Sequence, residues 1–112
     1  MTDNYDWSSF YNALCQHGPK LLHGIDDETC EMIAELASTT DMFWSDGLQD
    51  HLSVGAANDD LRGGVLSALE LWRENVLQAL DSDFSIELDW HAVSIDTASP
   101  LIDELVAAAA PK

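Results

Sequence analysis

Positive charge is the first thing this sequence lacks. Lys20, Arg62, Arg73 and Lys112 stand against 21 aspartates and glutamates, a formal net charge of −17. Nucleic acid and anionic membranes would repel such a chain, so neither is expected as a direct partner. Cys15 and Cys30 are too few for a disulfide framework and form no CxxC pair. Two reduced, packed thiols are the expectation. No apolar run approaches the length of a membrane span. Met1–Asp6 has neither a basic nor an apolar leader region. A soluble cytoplasmic protein is therefore expected. Internal repeats and low-complexity linkers are missing too, and residues 1–112 read as one acidic domain.

Catalytic signatures are equally scarce. There is no GxSxG elbow, phosphate-cradling glycine loop or Rossmann fingerprint. Carboxylate pairs are so abundant that none stands out as an acid–base couple. Asp81-x-Asp83-x-Ser85 opens like a calcium loop. Ile86 then occupies the position where glycine must turn it, and Ala92 the position of the bidentate glutamate. His17, His23, His51 and His91 show no zinc spacing, and satisfied structural residues explain Cys15 and His17 better than a ligand pair. The expectation is a protein that is not an enzyme and uses no metal or cofactor.

Apolar residues, four tryptophans among them, make up 46% of the chain, enough for a core. The surplus charge opposes compaction. It calls for a basic macromolecular partner, a salty cytosol or divalent cations.

Periodicity predicts a predominantly helical α+β fold, with about four to five helices around a long central one. Thr2 or Asp3 caps a first helix carrying Trp7, Phe10, Tyr11 and Leu14, which Gly18-Pro19 stops. Asp26-Asp27-Glu28 opens a second, with Cys30, Ile33, Ala34 and Ala37 inward. A third spans Asp41–Val54, irregular near Gly47, with Phe43, Trp44, Leu48 and Leu52 on its apolar side. Gly55-Ala56-Ala57 reads as a loop.

The central helix covers about residues 59–80. Leu61, Val65, Ala68, Leu69, Trp72, Val76, Ala79 and Leu80 form its stripe, while Asp59, Glu70, Glu74 and Asp81 share an opposite arc. Gly63-Gly64 costs helix stability and implies close packing of another element. Asp81-Ser82-Asp83 is expected to break the helix. Phe84, Ile86, Leu88, Trp90 and Ala92 then alternate with polar residues, predicting a strand or hairpin over about 84–96. Its partner would be a hairpin neighbour, the Ser53–Ala56 region or a second copy of the chain. A helical reading through Ile86, Trp90 and Val93 competes with it. Ser99-Pro100 starts a short final helix anchored by Leu101, Ile102, Leu105 and Val106.

The carboxylates fall in rows: Glu28, Glu31 and Glu35; Asp46 and Asp50; Asp59, Glu70, Glu74 and Asp81; Glu87 and Asp89. Carboxylates one helical turn apart lie about 5–6 Å from each other, and alternate strand residues about 7 Å. These spacings compare with neighbouring phosphates along a nucleic-acid strand, which rises 3.4 Å per nucleotide before its winding is counted. Such rows fit the basic groove of a nucleic-acid-binding protein. Leu66 and Leu77 flank the long helix's acidic arc, as apolar anchors of a mixed interface or as signs of a helix covered on more than one side.

In size, charge and lack of catalytic motifs the chain resembles the class of phage-encoded anti-restriction and anti-CRISPR proteins. That resemblance lies in composition and size, and carries no residue roles. It implies a non-enzymatic inhibitor mimicking nucleic acid, and an antitoxin or immunity protein plugging a basic nuclease is physically the same idea. An ordinary acidic domain of a halophile, or an accessory subunit, is the competing expectation; the excess of 14 aspartates over 7 glutamates fits it.

Overall fold

The computed structural model describes residues 7–39, 43, 45–89 and 92–110. The chain is α+β and predominantly helical, as expected. Helix α1 (Trp7–His17) runs into a 3-10 turn (Gly18–Leu21) and strand β1 (Leu22–His23). Helices α2 (Asp27–Thr39), α3 (Asp46–Ala57) and α4 (Leu61–Phe84) follow, then strand β2 (Ser94–Ile95) and helix α5 (Pro100–Ala109). The expected cap at Thr2 or Asp3, the Trp7 side chain, and the roles given to Asp41, Trp44, Trp90 and His91 lie outside the described residues and side chains.

The long helix α4 is the centre. Its expected stripe is buried at Val65, Ala68, Leu69, Trp72, Val76 and Leu80, with Leu61 and Ala79 partly covered. Helices α3 and α5 both pack against it, α1 lies on α5, and α2 lies on α1. Trp72 is fully buried, stacks edge-on against Phe43 with centroids 6.1 Å apart, and abuts Gly18. Tyr11 Oη and Cys15 Sγ both donate to the Ala37 carbonyl, joining α1 to the last turns of α2.

Helix boundaries moved where local signals met tertiary demands. Helix α3 starts at Asp46 after an extended Ser45 and continues through Gly55-Ala56-Ala57, the stretch expected as a loop. Gly55 serves packing there. A Cβ on it would lie 2.7 Å from Gly64 Cα, so the element that Gly63-Gly64 implied is α3. Helix α4 begins after Asp60, whose carboxylate accepts from Gly63 N at 3.1 Å. It then runs through Asp81-Ser82-Asp83, expected to break it, and ends at a left-handed Ser85 with Ile86 N donating to Leu80 O.

Among the described residues the C-terminal strand is Ser94–Ile95 alone. It pairs antiparallel with Leu22–His23, a partner outside the three anticipated (Leu22 opposite Ile95, His23 opposite Ser94). Gly24, at φ +87°, admits the Ala92 carbonyl, which any Cβ would strike. Residues 85–89 keep the expected alternation without a ladder: Ile86 and Leu88 are half-buried, while Ser85, Glu87 and Asp89 are exposed. A period of two here records one covered side of an irregular segment, not strand pairing.

Candidate acidic interface

Helix geometry sets the acidic rows, and burial of the opposite face holds each outward. On α2, Glu28, Glu31 and Glu35 are exposed while Ile33 and Ala37 are buried. Asp26 caps that helix: its Oδ1 accepts from Thr29 N at 2.8 Å, and hydrogen bonds from the Thr29 side chain and backbone hold its pKa below the ordinary carboxylate range. On α3, Asp46 and Asp50 are exposed opposite Leu48, Leu52 and Gly55, so they point away from α4. On α4, Glu70, Glu74 and Asp81 lie on one exposed arc, and the 11 residues from first to last span about 16 Å of helix at 1.5 Å each.

Two members of the sequence-derived set sit differently from expectation. Asp59 precedes α4 in a left-handed conformation (φ 56°) and is exposed, so it is not on the helical arc. Leu77 is 6% exposed and belongs to the core, and Leu66 is partly buried against that core. Covering of α4 on more than one side explains both leucines, and neither stands out as a free apolar anchor.

Tertiary structure joins some rows and separates others. Glu87 and Asp89, on the irregular segment, come to the C-terminal end of α4. There Leu77, Gln78, Asp81, Glu87, Leu88 and Asp89 line a surface cleft of about 580 Å³. Further up α4, Glu70 and Glu74 line a smaller groove of about 220 Å³ with Ser67, Leu71 and His51 of α3. Glu70, Glu74, Asp81 and Glu87 thus follow one side of the molecule. The α2 row lies elsewhere; its Glu31 lines a separate hollow with Lys20, Leu22, Ile25, Asp27 and Cys30. Burial, and then the negative charge of Asp27 and Asp26, pushes the Cys30 thiol pKa up.

His51, Gln78 and Leu88 line these clefts and are absent from the sequence-derived set. Gln78 was legible, because it sits four residues after Glu74 and three before Asp81 on the same arc. His51 and Leu88 were not: His51 reaches its groove through the packing of α3 on α4, and Leu88 through the turn of the chain at the left-handed Ser85.

Among the described residues the chain's ion pairs lie away from the rows on α2, α3 and α4. Arg62 pairs with Asp103, and Arg73 Nη1 donates to Val93 O at 3.2 Å. His17 Nε2 meets Glu104 at 2.9 Å and His23 Nε2 meets Asp96 at 3.6 Å. These ion pairs draw their acids from the β2–α5 region. Among the described residues Glu28, Glu31, Glu35, Asp46, Asp50, Glu70, Glu74, Asp81 and Glu87 make no ion pair.

Among the described residues no group of three or more His, Cys, Asp or Glu is placed to hold a metal ion, and no helix is long and apolar enough to cross a membrane. The chain matches no protein-family model, no curated protein and no solved structure.

Proposed function

We propose that this protein is a non-enzymatic inhibitor that binds a basic nucleic-acid-handling protein, such as a nuclease complex, through an acidic surface standing in for nucleic acid. It acts in the cytoplasm, that of the host if the gene is phage-borne. The observation that carries the reading is the exposed series Glu70, Glu74 and Asp81 along one side of the central helix, continued by Glu87 on the segment that follows it, none of which makes an ion pair among the described residues. Fixed carboxylates without internal cations keep their field for a partner, steering association and competing with phosphate.

The test is competition. Immobilised basic nucleases and DNA-binding proteins are challenged with the chain in the presence of increasing DNA. Binding should be displaced by DNA and should weaken steeply with salt, as exposed charges are screened. Glu70→Lys combined with Glu74→Lys should abolish it while leaving the helical circular dichroism unchanged. Reversing Glu28 and Glu31 in the same way shows how far the α2 row contributes.

One observation favours the other reading, an acidic domain adapted to high salt. The rows on α2 and α3 do not converge with that on α4, as a general solvated surface would have it. Melting temperature from 0.05 to 2 M KCl (concentrations on the order that spans weak to full screening) separates the two. A chain unfolded at low salt and gaining stability up to the highest concentration sinks the inhibitor proposal.

A further inference from the structure

The cleft at the C-terminal end of α4 has three properties that bear on what occupies it. Its lining is mixed: Leu88 of the irregular segment and the edge of the buried Leu77 of α4 are apolar, and Gln78, Asp81, Glu87 and Asp89 are polar. Phe84, 38% exposed, ends the same helix at that end of the molecule. Asp81 and Asp83 both lie in the last turn of α4, and that turn contains no basic residue. Aligned peptide dipoles already concentrate negative charge at a helix C-terminus, where a cation is the stabilising neighbour. The chain places carboxylates there instead. Asp81 and Glu87 form no ion pair among the described residues.

We infer that this cleft is the docking site for an arginine-bearing segment of the basic partner, which rests on the acidic-surface reading above and narrows it to one place. Charge complementarity requires a cation, and the mixed lining selects which one. A guanidinium is planar, weakly hydrated and carries five donors, so its face lies against Leu88 and the edge of Leu77 while its N–H groups reach the carboxylates of Asp81 and Glu87 and the Gln78 side-chain oxygen. A lysine ammonium is a compact, strongly hydrated point charge and gains little from an apolar surface. At about 580 Å³ this open cleft has room for more than a single side chain. It therefore takes the arginine together with neighbouring residues of its segment.

Two nonapeptides of equal charge, one with arginines and one with lysines at the same positions, are titrated into the full-length chain and followed by amide NMR. The arginine peptide should bind about tenfold more tightly, since a desolvated planar anchor is worth more than a rim charge. Its shifts should centre on Gln78, Asp81, Glu87 and Leu88. Leu88→Gln should bring the two peptides to similar affinity. Glu87→Gln, at an exposed position where folding is not at stake, should weaken the arginine peptide several-fold. Equal affinities in the unaltered chain, or shifts centred on Glu28, Glu31 and Glu35, overturn the cleft assignment and leave the inhibitor proposal standing. Loss of both peptides and of every basic protein tested overturns both.

Discussion

A Cβ on Gly55 would lie 2.7 Å from the Cα of Gly64, and one on Gly64 would lie 2.8 Å from the His51 carbonyl. Helices α3 and α4 meet backbone to backbone at this point. Gly55→Ala and Gly64→Ala should each destabilise the chain by about 1–3 kcal/mol, the usual cost of overpacking. Urea denaturation measures it. Gly63→Ala is the control, because its Cβ would strike the side-chain carboxylate of Asp60 and not a backbone. Displacing that cap costs about 1 kcal/mol, and alanine's helix propensity returns a similar amount. Gly63→Ala should be nearly neutral.

Trp72 carries the centre of the core. Trp72→Ala should cost about 3–5 kcal/mol through the cavity it leaves beside Phe43 and Gly18. Trp72→Phe should cost clearly less. It keeps an aromatic ring and removes an indole Nε1 that is buried with no hydrogen-bond partner among the described residues. Thermal unfolding of the two variants decides the order.

The acids at the end of α4 oppose its dipole. Asp83→Lys should raise stability by about 0.3–1 kcal/mol at low ionic strength, and the gain should shrink with added salt. The same change should weaken an arginine-bearing peptide, since it puts a competing cation at the cleft's end of the helix. A variant that is more stable and binds less well is the expected outcome.

Asp26 and Cys30 respond to pH in opposite senses. The Asp26 pKa is depressed by its bonds from Thr29, so its contribution to stability is present at neutral pH. It is lost as pH falls through the lowered folded value, below the ordinary aspartate range near 4. Asp26→Asn should therefore destabilise the chain at pH 7 and matter little once the native carboxylate is protonated. Cys30, its pKa raised by burial and by Asp27 and Asp26, should react with iodoacetamide more slowly than a free thiol at pH 8. Buried Cys15 should be slower still.

Helical periodicity by itself determined the two-faced α4, the inward side of α2, the α5 start at Ser99-Pro100 and the outward carboxylate rows. Each is local: the faces depend on residues three or four apart, whose relation the helix itself imposes, and the α5 start on a cap followed by proline. Packing between distant segments decided the rest. Gly55 reads as a loop residue until Gly64 is found beside it. Asp81-Ser82-Asp83 reads as a break, yet Leu77 and Leu80 are held in the core and the helix carries on past them. Residues 85–89 alternate like a strand because one side is covered, while the residues that do pair, Leu22–His23 with Ser94–Ile95, are too short to show a period. The sequence therefore determined how much negative charge faces outward. The tertiary structure decided that Asp81 and Glu87 face one cleft while Glu28, Glu31 and Glu35 remain apart. Local spacing orients a side chain on its own element, and only long-range packing brings one element's side chains to another's.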